Sequence, residues 1–96
     1  MKQGQIVISK QGRDKGLPFV VVAIEGEFLY LADGKLRKIQ NPKKKRPKHI
    51  QATNYIDVQL QDALIAGKTD IKDSDLRTIL RKFFEPRLKT VAKKSN

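Results

Sequence analysis

The 96-residue sequence has no cysteine and only one histidine. Without cysteine there is no disulfide framework, no thiolate metal site and no cysteine nucleophile. A lone histidine, no carboxylate pair in the motif-bearing region and no metal-ligand spacing leave no convergent catalytic set. No glycine-rich loop runs into a helix to cradle a nucleotide phosphate. The sequence therefore reads as a non-enzyme with no metal and no cofactor. Long apolar runs are missing too. The longest, residues 19–24, has six residues, whereas a membrane span needs about 18 or more. The first five residues lead into only three consecutive apolar ones, so no signal peptide is expected. A cytoplasmic protein, monomeric when free, is the expectation.

Acidic residues are missing from one stretch altogether. None occurs between Gly34 and Ile56, while Lys35, Arg37, Lys38, Lys43, Lys44, Lys45, Arg46 and Lys48 all do. The whole chain carries 21 Lys+Arg against 10 Asp+Glu, a formal charge of +11. A second basic set comprises Arg77, Arg81, Lys82, Arg87, Lys89, Lys93 and Lys94. The acids gather at Glu25, Glu27 and Asp33 and between Asp57 and Asp75. Segregated charge makes a directional field that concentrates anions, whereas a face charged only for solubility usually intersperses its signs.

The first half reads as strands. Residues 5–9 alternate Ile6 and Ile8 against Val7. Residues 10–18 are a polar connection with Gly12, Gly16 and Pro18, and residues 19–24 read as a strand buried on both faces or crossing a tightly curved sheet. Residues 28–32 form the next strand. Asp33-Gly34 is a strong hairpin signal that predicts a returning strand over 35–40. Pro42 and Pro47 argue against regular structure in the basic loop, and residues 50–55 close the sheet. Five short strands joined by tight turns suggest a small, strongly bent antiparallel barrel. Asp57 should cap a short helix that ends before Gly67. Asp73 or Ser74 should cap a second helix, ended by Pro86, whose Leu76, Ile79, Leu80, Phe83 and Phe84 make one apolar stripe. The organisation expected is a barrel over 1–56, a helical extension over 57–88 packed on it, and a disordered basic tail over 89–96.

Residues 4–22, with Gly4, Val7, Gly12, Asp14, Lys15, Gly16 and the apolar run from Phe19, resemble a KOW motif whose key glycine matches Gly16. The block from Asn41 through Gln51 is similar to small bacterial KOW-domain RNA-binding proteins. These in turn resemble the fourteen-e type of large-subunit ribosomal protein. The resemblance spans roughly residues 3–55 and implies an SH3-like barrel that contacts RNA, commonly ribosomal RNA. The helices after Asp57 carry none of it.

Within that frame Lys10, Arg13 and Lys15 share the Gly16 loop and could reach phosphates, with Asp14 tempering the field or orienting Arg13 or Lys15. Lys35, Arg37, Lys38, Lys43, Lys44, Lys45 and Lys48 offer mobile charge, and Arg46 a bidentate fork. His49 could stack on a base or donate to a phosphate. Of the aromatics Phe19, Phe28, Tyr30, Tyr55, Phe83 and Phe84, most should be core, with Tyr30 and Tyr55 best placed to stack. Arg77 and Arg81, like charges at i and i+4, cost roughly 0.2–0.5 kcal/mol and hint at a second RNA contact. The leading expectation is an RNA-binding module, associated with ribosomal RNA and possible ribosomal-protein neighbours. A protein-adaptor barrel docking through the helix stripe, a NusG-like transcription factor and an anionic-membrane binder are the alternatives.

Overall fold

A computed structural model describes the backbone of residues 1–95 and the side chains of residues 1–84. Its strands are β1 (Gln5–Ser9), β2 (Pro18–Glu25), β3 (Phe28–Ala32), β4 (Lys43–Lys45) and β5 (Ile50–Ile56). A 3₁₀ turn, Pro47–His49, joins β4 to β5, and helices α1 (Val58–Ile65) and α2 (Asp73–Ser95) follow. The strands form one antiparallel sheet in the order β4-β3-β2-β1-β5. Register shifts between Val21 and Ala23, and between Gln5 and Val7, mark where the ladders are interrupted. Such irregularities bend a strand and raise its twist.

Both faces of the sheet are buried. On one, Val7, Phe19, Val21, Leu29, Leu31 and Ile50 pack against each other. On the other, Ile6, Val20, Val22 and Ala32 meet Leu60 of α1 and Leu76, Ile79, Leu80 and Phe83 of α2. The apolar run in β2 feeds both clusters, as a strand covered on two sides must. The stripe of α2 is spent on the core, so it is not the free docking face that the adaptor alternative required. Phe84 is the one member left exposed.

Helix ends follow local chemistry. Asp57 caps α1, its Oδ1 accepting from the Leu60 amide at 2.9 Å. Beyond Ala66, Gly67 takes φ +71°, and the Lys68 amide returns to the Ala63 carbonyl, closing the helix with a left-handed residue. At α2 neither Asp73 nor Ser74 is the cap. Asp75 Oδ2 accepts from the Lys72 amide, the return half of a capping box. Asp73 reaches away from its own helix to accept from the Ile39 amide at 2.7 Å. Nor does Pro86 end α2, which runs to Ser95. An interior proline removes one hydrogen bond but holds φ near the helical value. Of the tail 89–96, expected to be disordered, residues 89–95 belong to α2, and Asn96 lies outside the described residues.

The largest departure lies between β3 and β5. Residues 35–40 do not return as a strand. Asp33 Oδ1 instead accepts from the Lys35 and Arg37 amides, at 2.9 and 2.8 Å, and bends the chain into a turn. The hairpin partner of β3 is Lys43–Lys45, paired Leu31↔Lys43 and Leu29↔Lys45. Both prolines flank this edge strand and neither lies inside it, so no ladder donor is lost. No described helix is long and apolar enough to cross a membrane.

Candidate nucleic-acid interface

Residues 10–17 form a closed loop rising from the end of β1. The Ser9 amide donates to the Leu17 carbonyl at 3.0 Å and the Gly16 amide to the Ser9 carbonyl at 2.8 Å. Closing the loop that tightly needs a positive φ, and Gly16 supplies +87°. Nothing lies within 4 Å of where a Gly16 Cβ would stand. The glycine is therefore required by its backbone angle, and its outer side is open to approach.

Asp14 points inward from this loop. Its Oδ2 accepts from Lys43 Nζ at 2.8 Å and its Oδ1 from Lys45 Nζ at 3.0 Å. The Ser9 hydroxyl adds a bond to Oδ1 at 2.7 Å, and Lys45 Nζ also donates to Ser9 Oγ and to the Gln11 carbonyl. Burial alone would raise the Asp14 carboxyl. The bonds from Lys43, Ser9 and Lys45, with the Lys45 charge, outweigh it and hold the group well below the usual carboxylate range. Asp14 thus orients neither Arg13 nor Lys15. It ties the edge strand β4 to the β1–β2 loop, and Lys45 keeps only 10% of its side chain exposed. Lys43 and Lys45 are spoken for.

Strand alternation sends their neighbours the other way. Lys44 Nζ sits 4.1 Å from the centroid of the Phe28 ring and the Arg46 guanidinium 5.2 Å from it. Both residues are exposed, as are Lys48, Lys10, Arg13 and Lys15. The Lys10 amide donates to the His49 carbonyl at 2.8 Å, so the loop and the 3₁₀ turn are joined directly. His49 is half-buried, and its Nδ1 is buried with no hydrogen-bond partner among the described residues.

The other expected contacts belong to a different part of the surface. Lys35, Arg37 and Lys38 ride on the Asp33 turn, which is pinned to α2 by the Asp73–Ile39 bond and by Arg77 Nη1 donating to the Gly34 carbonyl. Arg77 and Arg81 stand beside that turn on α2, and Leu17 and Pro18 line the same groove. The candidate residues thus divide into an Asp14-centred group and a helix-side group. Among the aromatics, Tyr55 is exposed but packs edge-on against Phe83 at 5.5 Å, and Tyr30 lies half-buried against the helix-side core. Phe28 is the aromatic that the basic face holds, although its place in an apolar run points to the core. The signal available for it was its place one residue before Leu29–Leu31, the stretch of β3 that pairs with Lys43–Lys45, and this becomes visible only once β3 and β4 are paired. The chain matches no protein-family model, and no curated protein is significantly similar to it.

Proposed function

We propose that this protein is a KOW-type RNA-binding module, an SH3-like barrel whose outward cations engage the sugar–phosphate backbone of structured RNA. Ribosomal RNA is the first candidate through the sequence resemblance, with a place in translation. The observation that carries this reading is the joining of two basic segments, distant in sequence, by the Lys10–His49 backbone bond and the Asp14 ion pairs. Together they place the loop that carries Lys10, Arg13 and Lys15 beside the β4–3₁₀ segment that carries Lys44, Arg46 and Lys48, all six exposed. The strand order, with a 3₁₀ turn entering β5 beside β1, supports the barrel reading. Point charges on loops suit recognition of backbone shape more than of base sequence.

Lys43 and Lys45 act as struts in this account, and the six exposed cations are the contact set. Six neutralised phosphates give a slope of log K against log salt near −4 for single strands and −5 for a duplex. Anisotropy titrations of a labelled ribosomal RNA hairpin at increasing KCl measure it. A slope flatter than about −1 refutes the reading. Lys44→Gln, Arg46→Gln and Lys48→Gln together should weaken binding without lowering the melting temperature by more than a few degrees. Unchanged affinity in that variant removes the site.

A further inference from the structure

A second surface lies apart from the Asp14 group. It is a groove of about 470 Å³ between the Asp33 turn, the Leu17–Pro18 corner and α2. Its apolar floor comes from Leu17, Leu36, Leu80 and Phe84, with Leu36 64% exposed and Leu17 and Phe84 exposed by more than a third. On α2 the residues Arg77, Leu80, Arg81 and Phe84 fall at i, i+3, i+4 and i+7. They form one face in which cations and apolar side chains alternate; its buried Leu80 is shared with the face that carries Leu76, Ile79 and Phe83 into the core, while Arg77, Arg81 and Phe84 are exposed. Lys35 adds a third cation to the rim. Among the described residues neither Lys35 nor Arg77 forms an ion pair, and Arg77 donates instead to the Gly34 carbonyl. Asp33, the one acid among the described residues of the groove, turns Oδ1 to the Lys35 and Arg37 amides.

We propose that this groove docks an acidic amphipathic helix of a partner protein. Its leucine-type side chains would fill the floor, and its Asp and Glu residues would face Lys35 and Arg77. The pairing of an apolar floor with a cationic rim selects that occupant. RNA would satisfy the cations but leave Leu36 and Phe84 in water. A second copy of this strongly basic chain would set like charges against the rim. In helix-in-groove recognition the incoming helix supplies apolar anchors at i, i+3, i+4 and i+7, which here would meet the apolar floor. The inference does not rest on the RNA-binding reading, because the residues concerned are separate.

The test is fluorescence anisotropy with a labelled twelve-residue peptide of Asp and Glu carrying three leucines at helical spacing, beside a control peptide in which the leucines are serine. Saturable binding of the leucine peptide, at least tenfold tighter than the control, is the expected result. Leu36→Ser and Lys35→Glu, both at exposed positions, should each weaken it at least fivefold while melting like the parent. No saturable binding, or equal binding of the control, overturns the proposal. So does a fivefold loss of affinity for an RNA hairpin in Leu36→Ser, which assigns the groove to RNA. A dimer in sedimentation that Leu36→Ser dissolves overturns it as well, since the groove is then filled by a second copy. Loss of peptide binding with RNA affinity intact separates this site from the proposed RNA surface.

Discussion

Replacing Asp14 with asparagine keeps the shape of the side chain and removes the anion that two lysines share. Lys45, with 10% of its side chain exposed, then holds a nearly buried charge whose remaining partners are Ser9 Oγ and the Gln11 carbonyl. Removing one partner of a buried pair costs about 3–5 kcal/mol, because the other charge is left uncompensated. Two neutral acceptors stay with Lys45, and Lys43 keeps 29% of its side chain in solvent, so a smaller loss than for a fully buried pair, about 2–3 kcal/mol, applies here. In a domain of this size 1 kcal/mol moves the midpoint by about 4–8 °C, so a fall of roughly 10–20 °C is expected in a thermal melt followed by circular dichroism. Lys44→Gln, one residue along the same strand but facing Phe28, loses only an exposed cation–π contact of about 0.5–1 kcal/mol. The pH dependence has a definite sign. The Asp14 pKa is lowered in the folded state, so its contribution is complete above the unfolded carboxylate pKa of about 3.9 and fades as pH falls below that value. The gap between parent and Asp14→Asn should therefore be steady from pH 5 to 7 and narrow on acidification below about pH 4. An Asp14→Asn protein that melts within 2 °C of the parent at pH 7 refutes the strut assignment.

Gly34→Ala should be far more damaging than Gly16→Ala. At Gly34 a Cβ would stand 2.2 Å from the Asp73 carbonyl oxygen at φ +78°, whereas at Gly16 only the backbone angle objects. Denaturant melts should show about 1–3 kcal/mol lost at Gly16 and clearly more, or no folding, at Gly34; equal losses contradict the packing of the turn on α2. Leu76→Ala, at a wholly buried position where α2 meets the sheet, should cost about 2–5 kcal/mol in the same assay, and a loss under 1 kcal/mol would mean that α2 is not part of the core. Lys43→Gln and Lys45→Gln should lower the melting temperature yet leave RNA affinity per folded molecule within about threefold. A large affinity loss in either would return these lysines to the contact set.

Elements whose signals are local were legible in the sequence. The apolar run of β2 spoke for a doubly covered strand, Asp57 and Gly67 marked the ends of α1, and the spacing of Leu76, Ile79, Leu80 and Phe83 gave the buried face of α2. What could not be read depends on residues far apart in the chain. Lys43–Lys45 has nothing of a strand by composition. It is held by Asp14, 29 and 31 positions away, which absorbs the charge that would otherwise keep three lysines in solvent. The strand expected over 35–40 gives way because Asp33 caps its amides locally and Asp73, 34 positions on, takes the Ile39 amide. The same distinction governs the site. An acid-free basic block announces a cationic surface, but alternation along β4 decides which lysines face out, and alternation needs the strand to be known.

The sharpest discrimination comes from two variants of equal charge. One carries Lys44→Gln, Arg46→Gln and Lys48→Gln beside the loop of Gly16. The other carries Lys68→Gln, Lys72→Gln and Lys82→Gln, exposed positions on the helical side. Each loses three positive charges, so any effect of the +11 total falls on both alike. At 0.15 M salt each single-strand phosphate contact contributes roughly 0.6 log units, from a slope of about 0.7 per contact, so losing three costs about 50-fold. The first variant should bind RNA about 50-fold more weakly than the parent and the second within threefold. Equal weakening of both would show that net charge, not the surface built around Asp14, is what RNA detects.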